Sequence, residues 1–590
     1  MTLEIGYVLS LLVVSLVLFA WDVVGVDIVG GIVILLLTVP GVLTPNDAIA
    51  GFGSETITVI GTLFVMTAGI VRTGVVERLG MRLTLLGRGN PKRLTRYILV
   101  SATSVSAFLS NTVTAAVFLP LTLGTARRAG IPPSRLLMPL AFATILSGGV
   151  SIIATTTNLV VSGELPRYGL ERLGFFELAP AGVAITVLGM LYLLFLAPKL
   201  IPERGGADRT EKYNLRKYFT EVLVTPGSPL AGKTLGQSHL GSSMDLNVVG
   251  IIRGGQRILA PSPSTTLAEG DLLLIEGRAE DILLVKDTVG VDIRADFKLS
   301  DRSLESDQVR MIEAMVLPRS ALVGKTLREA RFRERTGLAV LAIHSAGGPD
   351  IMTKLSRRRM KPSDVLLLQG SVEDIDRIPQ DDLLRLEDRS AHHPRSKRGR
   401  VAATIFVTAI AVGVSGILPL PVAFAAGALV MILSRCITSE EAYSSIDWRL
   451  LVLIGAMMAF GRAMEETGAA AWISEVLVSA LSPLGHRAIL AAILLVTIVL
   501  TQPMSNQAAA LVVLPVAIRI ANDIQMNPRP LVVAVALAAS CSFMTPLEPA
   551  SVLVYGPGRY RFLDFMKVGG LLTVIVFVMS MLLIPVFWPL

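Results

Sequence analysis

Two short polar breaks inside long apolar runs limit what this chain can fold into. The first is Ser110-Asn-Thr112, at the centre of Ala107-Phe-Leu-Ser-Asn-Thr-Val-Thr-Ala-Ala-Val-Phe-Leu-Pro120. The second lies in Met504-Ser-Asn-Gln-Ala-Ala-Ala-Leu-Val-Val-Leu-Pro515. Ser110, Asn111, Pro120 and Pro133 recur as Ser505, Asn506, Pro515 and Pro528, each at an offset of 395. Upstream, Gly61 and Thr73-Gly74 recur as Gly455 and Thr467-Gly468 at 394. Hydrocarbon cannot hydrogen-bond to these side chains, so each must face protein, water or a bound solute. A single Ser-Asn-Thr in a membrane helix ordinarily serves as interhelical glue. Two copies in one phase describe a duplicated membrane unit, with a polar break at mid-membrane in each copy.

Composition agrees with a polytopic membrane protein. Of 590 residues, 52% are hydrophobic and only 17% charged, and the mean hydropathy is +0.64, which excludes an ordinary soluble enzyme. The formal net charge is +8. Its Lys and Arg residues sit in loops beside apolar runs, as the positive-inside rule requires, so no nucleic-acid partner is needed to explain them. Cys436 and Cys541 lie in or beside apolar segments, which gives no disulfide framework and no cysteine-based zinc site. His239, His344, His392, His393 and His486 are scattered. The first residues lack the basic region of a signal peptide, so the first apolar run is expected to be a retained span.

Taken in order, apolar runs at roughly 5–20, 23–43 and 56–76 suit membrane helices. A basic segment follows, with Arg72, Arg78, Arg82, Arg88, Lys92, Arg93 and Arg96 against Glu77. It should be cytoplasmic, which places the N-terminus outside. The run 97–127 is split by Ser110-Asn-Thr112 into arms of about fifteen residues, or roughly 22 Å of helix. That is short of a ~30 Å hydrocarbon core, so a re-entrant hairpin with the polar triplet at its tip is expected. It returns Arg127, Arg128 and Arg135 to the cytoplasm. Residues 136–162 carry Ser147-Gly-Gly-Val-Ser-Ile-Ile-Ala-Thr-Thr-Thr-Asn158 at their centre, where glycines and hydroxyls weaken a helix. A helix broken in the middle is expected there, facing the hairpin tip. A fifth span at 179–197 exits through Pro198-Lys-Leu-Ile-Pro-Glu-Arg204 to the cytoplasm.

Residues 205–398 are charge-rich and read as a soluble cytoplasmic insert with its own repeat. Glu221-Val-Leu-Val-Thr-Pro-Gly-Ser-Pro-Leu-Ala-Gly-Lys-Thr-Leu235 aligns with Glu313-Ala-Met-Val-Leu-Pro-Arg-Ser-Ala-Leu-Val-Gly-Lys-Thr-Leu327 at an offset of 92. Strands are expected at Leu246–Arg253 and Leu338–His344, and after the acidic turns at Glu269–Ile275 and Pro362–Leu368. Two small α+β modules follow, at 205–300 and 301–398. Gly-Lys-Thr in each lacks the upstream glycine of a phosphate loop, so no nucleotide hydrolysis is expected. The membrane resumes at Arg395-Ser-Lys-Arg-Gly-Arg400, with spans at 401–416, 418–436 and 448–466 and an amphipathic piece at 470–482. A second split hairpin (487–521), a broken span (531–556) and a last span (566–588) complete the copy. The fold class is therefore an α-helical polytopic membrane protein. Two membrane repeats, 1–204 and 399–590, contain re-entrant hairpins and broken helices, and tandem α+β domains are inserted between them on the cytoplasmic side. Five crossings per half make the repeats inverted and leave both termini outside. Glu465, Glu466 and Asp523 then flank the outer mouth of the second hairpin.

Hairpin tips and broken helices of this kind converge near the midplane. Helix N-termini favour an anion, while unwound carbonyls and Ser, Thr and Asn oxygens favour Na⁺. No Lys, Arg or His lies within either tip or within 148–158. An anionic solute would be held by dipoles, amides and co-bound cations.

Ser110-Asn-Thr112 with Thr155-Thr-Thr-Asn-Leu-Val160, and Ser505-Asn-Gln507 with Tyr555-Gly-Pro-Gly-Arg-Tyr-Arg-Phe562, resemble the divalent-anion:sodium symporter family of the ion transporter superfamily. The resemblance covers both membrane halves. The insert resembles two TrkA-C modules, the C-terminal (RCK-type) regulatory units of potassium-transport proteins. The resemblance implies a homodimer in the cell membrane whose transport domain moves past a fixed scaffold, the elevator mechanism. It implies a first Na⁺ site at Ser106, Ser110, Asn111 and the backbone near Ala154, and a second at Thr501, Asn506 and the backbone near Thr545. Substrate would lie between Ser110, Asn111, Thr112 and Ser505, Asn506, Gln507, with Thr156, Thr157, Asn158 and Pro546 nearby. Members with such inserts are often assigned to sulfate, and no organic cofactor is implied.

One departure bears on coupling. The second break reads Phe543-Met-Thr-Pro-Leu-Glu-Pro-Ala-Ser551, a residue shorter than the family pattern, without its Asn and with Glu548 added. An ionisable group at membrane depth is a functional candidate. Glu548 can complete a cation site, carry a coupling proton, or cap backbone N–H groups at the cytoplasmic interface. The second Na⁺ site is thus not carried over intact, and H⁺ stands beside Na⁺ as coupling ion. The expected function is secondary transport of a small dianion, sulfate before dicarboxylate. Arsenite efflux or Na⁺/H⁺ exchange is the alternative, and a channel or sensor gated by an insert ligand is a further one. Nothing resembles the Thr-Val-Gly-Tyr-Gly filter of a potassium channel.

Overall fold

The computed structural model describes residues 2–21, 25–76, 78, 91–129, 131–202, 398–481 and 485–590 of the helical part. In the insert it describes 219–238, 240, 247–254, 256–259, 261–262, 264–276, 291–294, 309–318, 320–344, 350–351, 358–378 and 382–386. Arg82, Arg88, His239, His392 and His393 of the sequence argument lie outside these residues.

The first half forms helices α1 (Leu3–Trp21), α2 (Val26–Thr38), α3 (Pro45–Ala50), α4 (Glu55–Arg72), α5 (Pro91–Ser106), α6 (Asn111–Ala129), α7 (Ser134–Leu146), α8 (Thr156–Glu164) and α9 (Ala179–Phe195). The second half retraces them as α10 (Gly399–Val414), α11 (Leu420–Leu433), α12 (Ser439–Ser445) and α13 (Trp448–Glu466). It continues with α14 (Ala469–Leu481), α15 (His486–Thr501), α16 (Asn506–Asp523), α17 (Arg529–Ala539), α18 (Pro549–Tyr555) and α19 (Phe562–Phe587). Local chemistry recurs with the elements. The Thr44 side chain accepts from the Asp47 N–H to start α3, and the Thr438 side chain accepts from the Glu441 N–H to start α12. Gly74 and Gly468, after α4 and α13, both take positive φ, +69° and +78°.

The halves interlock reciprocally: α2 packs on α13, and α11 on α4. Ion pairs repeat the exchange, Arg462 to Asp47 at 2.7 Å and Arg72 to Glu441 at 2.8 Å. At the centre, α7 from Leu136 and α17 from Pro530 are buried to their last residues, and the small side chains of α17 permit close backbone approach. Both breaks rest on a glycine of the last helix of their half. A Cβ on Gly182 would overlap the Gly149 carbonyl, and one on Gly569 would overlap the Phe543 carbonyl.

Length separates the helices into classes. Pro45–Arg72 and Phe562–Phe587 are each long and apolar enough to cross a membrane, and α12 with α13, bent by 49°, make a third candidate. The other apolar helices are shorter or interrupted. The second hairpin arms exceed the fifteen residues expected: α6 has 19 residues and α16 has 18, because Pro120 and Pro515 sit inside them without ending them.

Among its described residues, the insert holds two five-stranded antiparallel sheets. Strands β1 (Phe219–Val224), β2 (Asn247–Arg253), β3 (Gln256–Leu259), β4 (Leu272–Glu276) and β5 (Val291–Arg294) stand in the order β3-β2-β4-β1-β5. Strands β6 (Val309–Val316), β7 (Ala339–His344), β8 (Asp350–Ile351), β9 (Val365–Ser371) and β10 (Leu383–Arg385) repeat it as β8-β7-β9-β6-β10. Gly-Lys-Thr is a turn in both copies. Gly232 and Gly324 take φ of +83° and +79°. Thr234 then exchanges hydrogen bonds with Gln237, and Thr326 with Glu329, as capping boxes. The second sheet touches the membrane part. Met315, Val365 and Leu386 join its core, and the Ser363 hydroxyl donates to the Val552 carbonyl of α18.

Candidate functional site

Each tip is a helix start turned against a break. In the second, Ser505 holds extended backbone and its hydroxyl accepts from the Ala508 N–H at 3.3 Å, which starts α16. In the first, α6 starts at Asn111 and the Thr114 N–H donates to the Ser110 carbonyl at 3.0 Å.

Behind each tip lies a cluster of neutral oxygens. In the first half, the Ser106 hydroxyl, fully buried, is 3.3 Å from Asn111 Oδ1 and 3.0 Å from the Thr144 carbonyl. In the second, the Thr501 hydroxyl is 2.8 Å from Asn506 Oδ1 and 2.7 Å from the Ala539 carbonyl. The Ser542 hydroxyl closes this cluster, 2.7 Å from Asn506 Oδ1 and 3.1 Å from Thr501 Oγ1. Thr144 and Ala539 stand in the same 395 offset as the tips, and so do Ser147 and Ser542. Sequence reasoning named neither Ser542 nor the two carbonyls, although that offset was available to find them. Hydroxyl, amide and carbonyl oxygens without fixed charge are a donor set that suits Na⁺. Ser106, Asn111 and the Thr144 carbonyl could supply ligands in one half; Thr501, Asn506, Ser542 and the Ala539 carbonyl could do so in the other.

The breaks are locked by their own polar groups. Asn158 donates to the Gly148 carbonyl at 2.7 Å and the Ser151 carbonyl at 3.2 Å, bracing the first break from inside. Thr155 caps α8 by accepting from the Thr157 N–H at 3.2 Å. Thr157, Asn158 and Ala154 are buried, Thr157 Oγ1 and Asn158 Oδ1 without a hydrogen-bond partner. In the second break, the Thr545 hydroxyl donates to the Gln502 carbonyl at 2.9 Å. The Ser151 hydroxyl makes the matching bond to the Ala107 carbonyl. Pro546 is buried beside it. The cap of α18 is Glu548, whose carboxylate accepts from the Ala550 N–H at 2.6 Å. Thr155 follows Thr144 by eleven residues and Glu548 follows Ala539 by nine, so the second break is two residues shorter than the first.

Among the contacts between the halves, some join a tip to a break. Gln507 of the second tip donates from Nε2 to the Thr156 hydroxyl of the first break, at 2.6 Å. Asn111 of the first tip is among the polar groups that act on Glu548 of the second break. All four elements therefore meet. Ser110, Thr112, Thr156, Ser505, Asn506 and Gln507 are only half-buried there.

Residues 16–539 match the family described as "Citrate transporter" (CitMHS). The chain belongs to the CitMHS family. As a member it is a transporter-type membrane protein. It is 33% identical over 592 residues to "Uncharacterized transporter sll0640" of Synechocystis sp., covering 98% of this chain and 97% of that one. It is 29% identical over 401 residues to "Probable sodium/sulfate cotransporter 3" of Chlamydomonas reinhardtii, covering 63% of this chain and 43% of that one. Among solved structures, 28% of the chain is similar to 63% of the GsuK RCK domain, at 13% identity and a TM-score of 0.14.

Proposed function

We propose that this CitMHS member is a secondary carrier of a small divalent anion, sulfate before dicarboxylate, coupled to Na⁺ or H⁺. The observations that carry the reading are the hydrogen bond from Gln507 to Thr156 across the halves and the presence of Asn111 among the groups acting on Glu548. They bring two amide-bearing tips and two breaks together, with no basic side chain in the tips. Substrate would take the half-buried hydroxyls and amides of Ser110, Thr112, Thr156, Ser505, Asn506 and Gln507, and the coupling ion the oxygens behind the tips. The partial likeness to a protein described as a sodium/sulfate cotransporter supports sulfate and Na⁺. The citrate description of the family supports a carboxylate carrier as the second reading.

On this reading the repeats 1–204 and 399–590 are inverted and the termini lie outside. The modules 205–300 and 301–398 are cytoplasmic, either regulatory through a small ligand or dimer-forming. The protein works as a homodimer by an elevator motion, with no enzymatic step. The test is uptake of labelled sulfate into proteoliposomes, with and without a Na⁺ gradient and across pH. Saturable uptake that Asn111→Ala and Asn506→Ala each abolish, in folded protein, is the expected result. Full uptake in either variant removes the site assignment.

A further inference from the structure

The two insert modules build the same turn, before β4 in the first and before β9 in the second. Gly270 and Ser363 occupy one position of it. The Gly270 N–H donates to the Val224 carbonyl at 2.9 Å, and the Ser363 N–H to the Val316 carbonyl at 3.0 Å. The next residue, Asp271 or Asp364, accepts from the N–H three residues back, Ala268 at 2.7 Å and Lys361 at 2.9 Å. Each of these aspartates also pairs with an arginine, Arg253 or Arg358. Gly270 takes φ of +81° and Ser363 of +66°. Glycine adopts that backbone freely, whereas serine does so at a cost. The turn closes equally well without a side chain, so the strained Ser363 is explained by what it touches.

It touches the helical part. The Ser363 hydroxyl donates to the Val552 carbonyl of α18, and a Cβ on Gly556, just past α18, would overlap the Ser363 carbonyl. Ser363 is 1% exposed, whereas Gly270 is exposed with open space about it. The sheets differ in the same way. Among the described residues, the core of the first holds only insert side chains, while Met315, Val365 and Leu386 of the second join the helical core. With seven residues, α18 is too short to be stable as an isolated helix. It packs on α6 and α7, the helix of the first tip and the start of the first broken span. Whatever holds α18 therefore holds the second break against the first half.

Resting on the substrate site proposed above, we propose that Ser363 is a positioning residue for that site. The turn it occupies docks the second module, and not the first, onto α18 and fixes the half-helix that completes the second break. Docking thereby sets the fraction of molecules whose second break is arranged for substrate. With the dock loosened that fraction falls, and the apparent affinity for the anion falls with it.

The test uses full-length protein and two readouts: amide hydrogen exchange over α18 without ligand, and uptake of labelled sulfate into proteoliposomes. Ser363→Gly removes the hydroxyl and relieves the backbone; Gly270→Ser adds a hydroxyl to the turn that faces open space. Ser363→Gly should speed exchange in α18 and raise the half-saturating sulfate concentration, each by roughly three- to tenfold, with the maximal rate unchanged. Gly556→Ala, which parts the two surfaces from the other side, should move both readouts the same way. Gly270→Ser should move neither. A serine with only a structural role in its module predicts unchanged exchange and half-saturation in Ser363→Gly, and that result overturns the proposal. So does an equal effect of Gly270→Ser, and so does faster exchange with unchanged half-saturation, which would be a dock that positions nothing. A wild type that takes up no sulfate overturns the substrate reading and the role in affinity with it. The exchange arm needs no substrate and shows separately whether the dock stands.

Discussion

Replacing Thr501 by Val removes one hydroxyl from the oxygen cluster behind the second tip and leaves the shape nearly unchanged. Thr501 Oγ1 stands 2.7 Å from the Ala539 carbonyl, 2.8 Å from Asn506 Oδ1 and 3.1 Å from Ser542 Oγ. Asn506 keeps its 2.7 Å bond from Ser542. The Ala539 carbonyl, last in α17, loses its donor at a position where Thr501 is 1% exposed. A side-chain hydrogen bond between membrane helices averages about 0.6 kcal/mol, whereas a buried polar group left unpaired costs about 1–3 kcal/mol. The second applies, so Thr501→Val should lose about 1–3 kcal/mol, and Thr501→Ser clearly less. Ser106→Ala, whose bonds are longer at 3.0 and 3.3 Å, should lose less than Thr501→Val. The assay is thermal unfolding in detergent, paired with sulfate uptake against Na⁺ concentration. Thr501→Val should melt earlier and need more Na⁺ for half-maximal uptake. Wild-type melting in Thr501→Val would refute the account of the cluster as a closed oxygen ring.

Three further outcomes are open to measurement. Burial alone would raise Glu177, but Arg529, at 2.6 Å from both carboxylate oxygens, and the Gly174 N–H hold it below the usual glutamate range. A depressed folded-state value contributes stability above the unfolded value and loses it as pH falls through the folded one. Wild-type protein should therefore lose stability as pH drops below 4.5, and Arg529→Ala should have lost that contribution already at pH 7. A Cβ on Gly182 overlaps the Gly149 carbonyl, so Gly182→Ala should force the first break off α9 and lower yield and melting temperature; Gly31→Ala, with open space, should not. A Cβ on Gly556 overlaps the Ser363 carbonyl, so Gly556→Ala should loosen the second insert sheet from α18, read as faster proteolysis between Ser371 and Gly399.

The helical class, the interrupting insert and the places where helices stop were legible in the chain, because each follows from local chemistry. Adjacent glycines and hydroxyls end α7 at Leu146, and Ser505 begins α16 because its hydroxyl replaces a missing backbone acceptor. The 395 offset carried Asn111 onto Asn506 without coordinates. Glu548 was legible as an oddity, and capping was one of its three readings; the structure shows it capping α18. Its neighbour in the other half was not legible. Asn111 and Glu548 are separated by most of the chain, and so are Gln507 and Thr156, and no local preference encodes which tip meets which break. Nor does sequence say which polar side chains are spent inside their own break, as Asn158 and Thr545 are, and which stay half-open, as Asn506 and Gln507 do. Those choices belong to packing. A polar atom turned away from water can pair only with what the surrounding helices bring near, and only the assembled halves decide that.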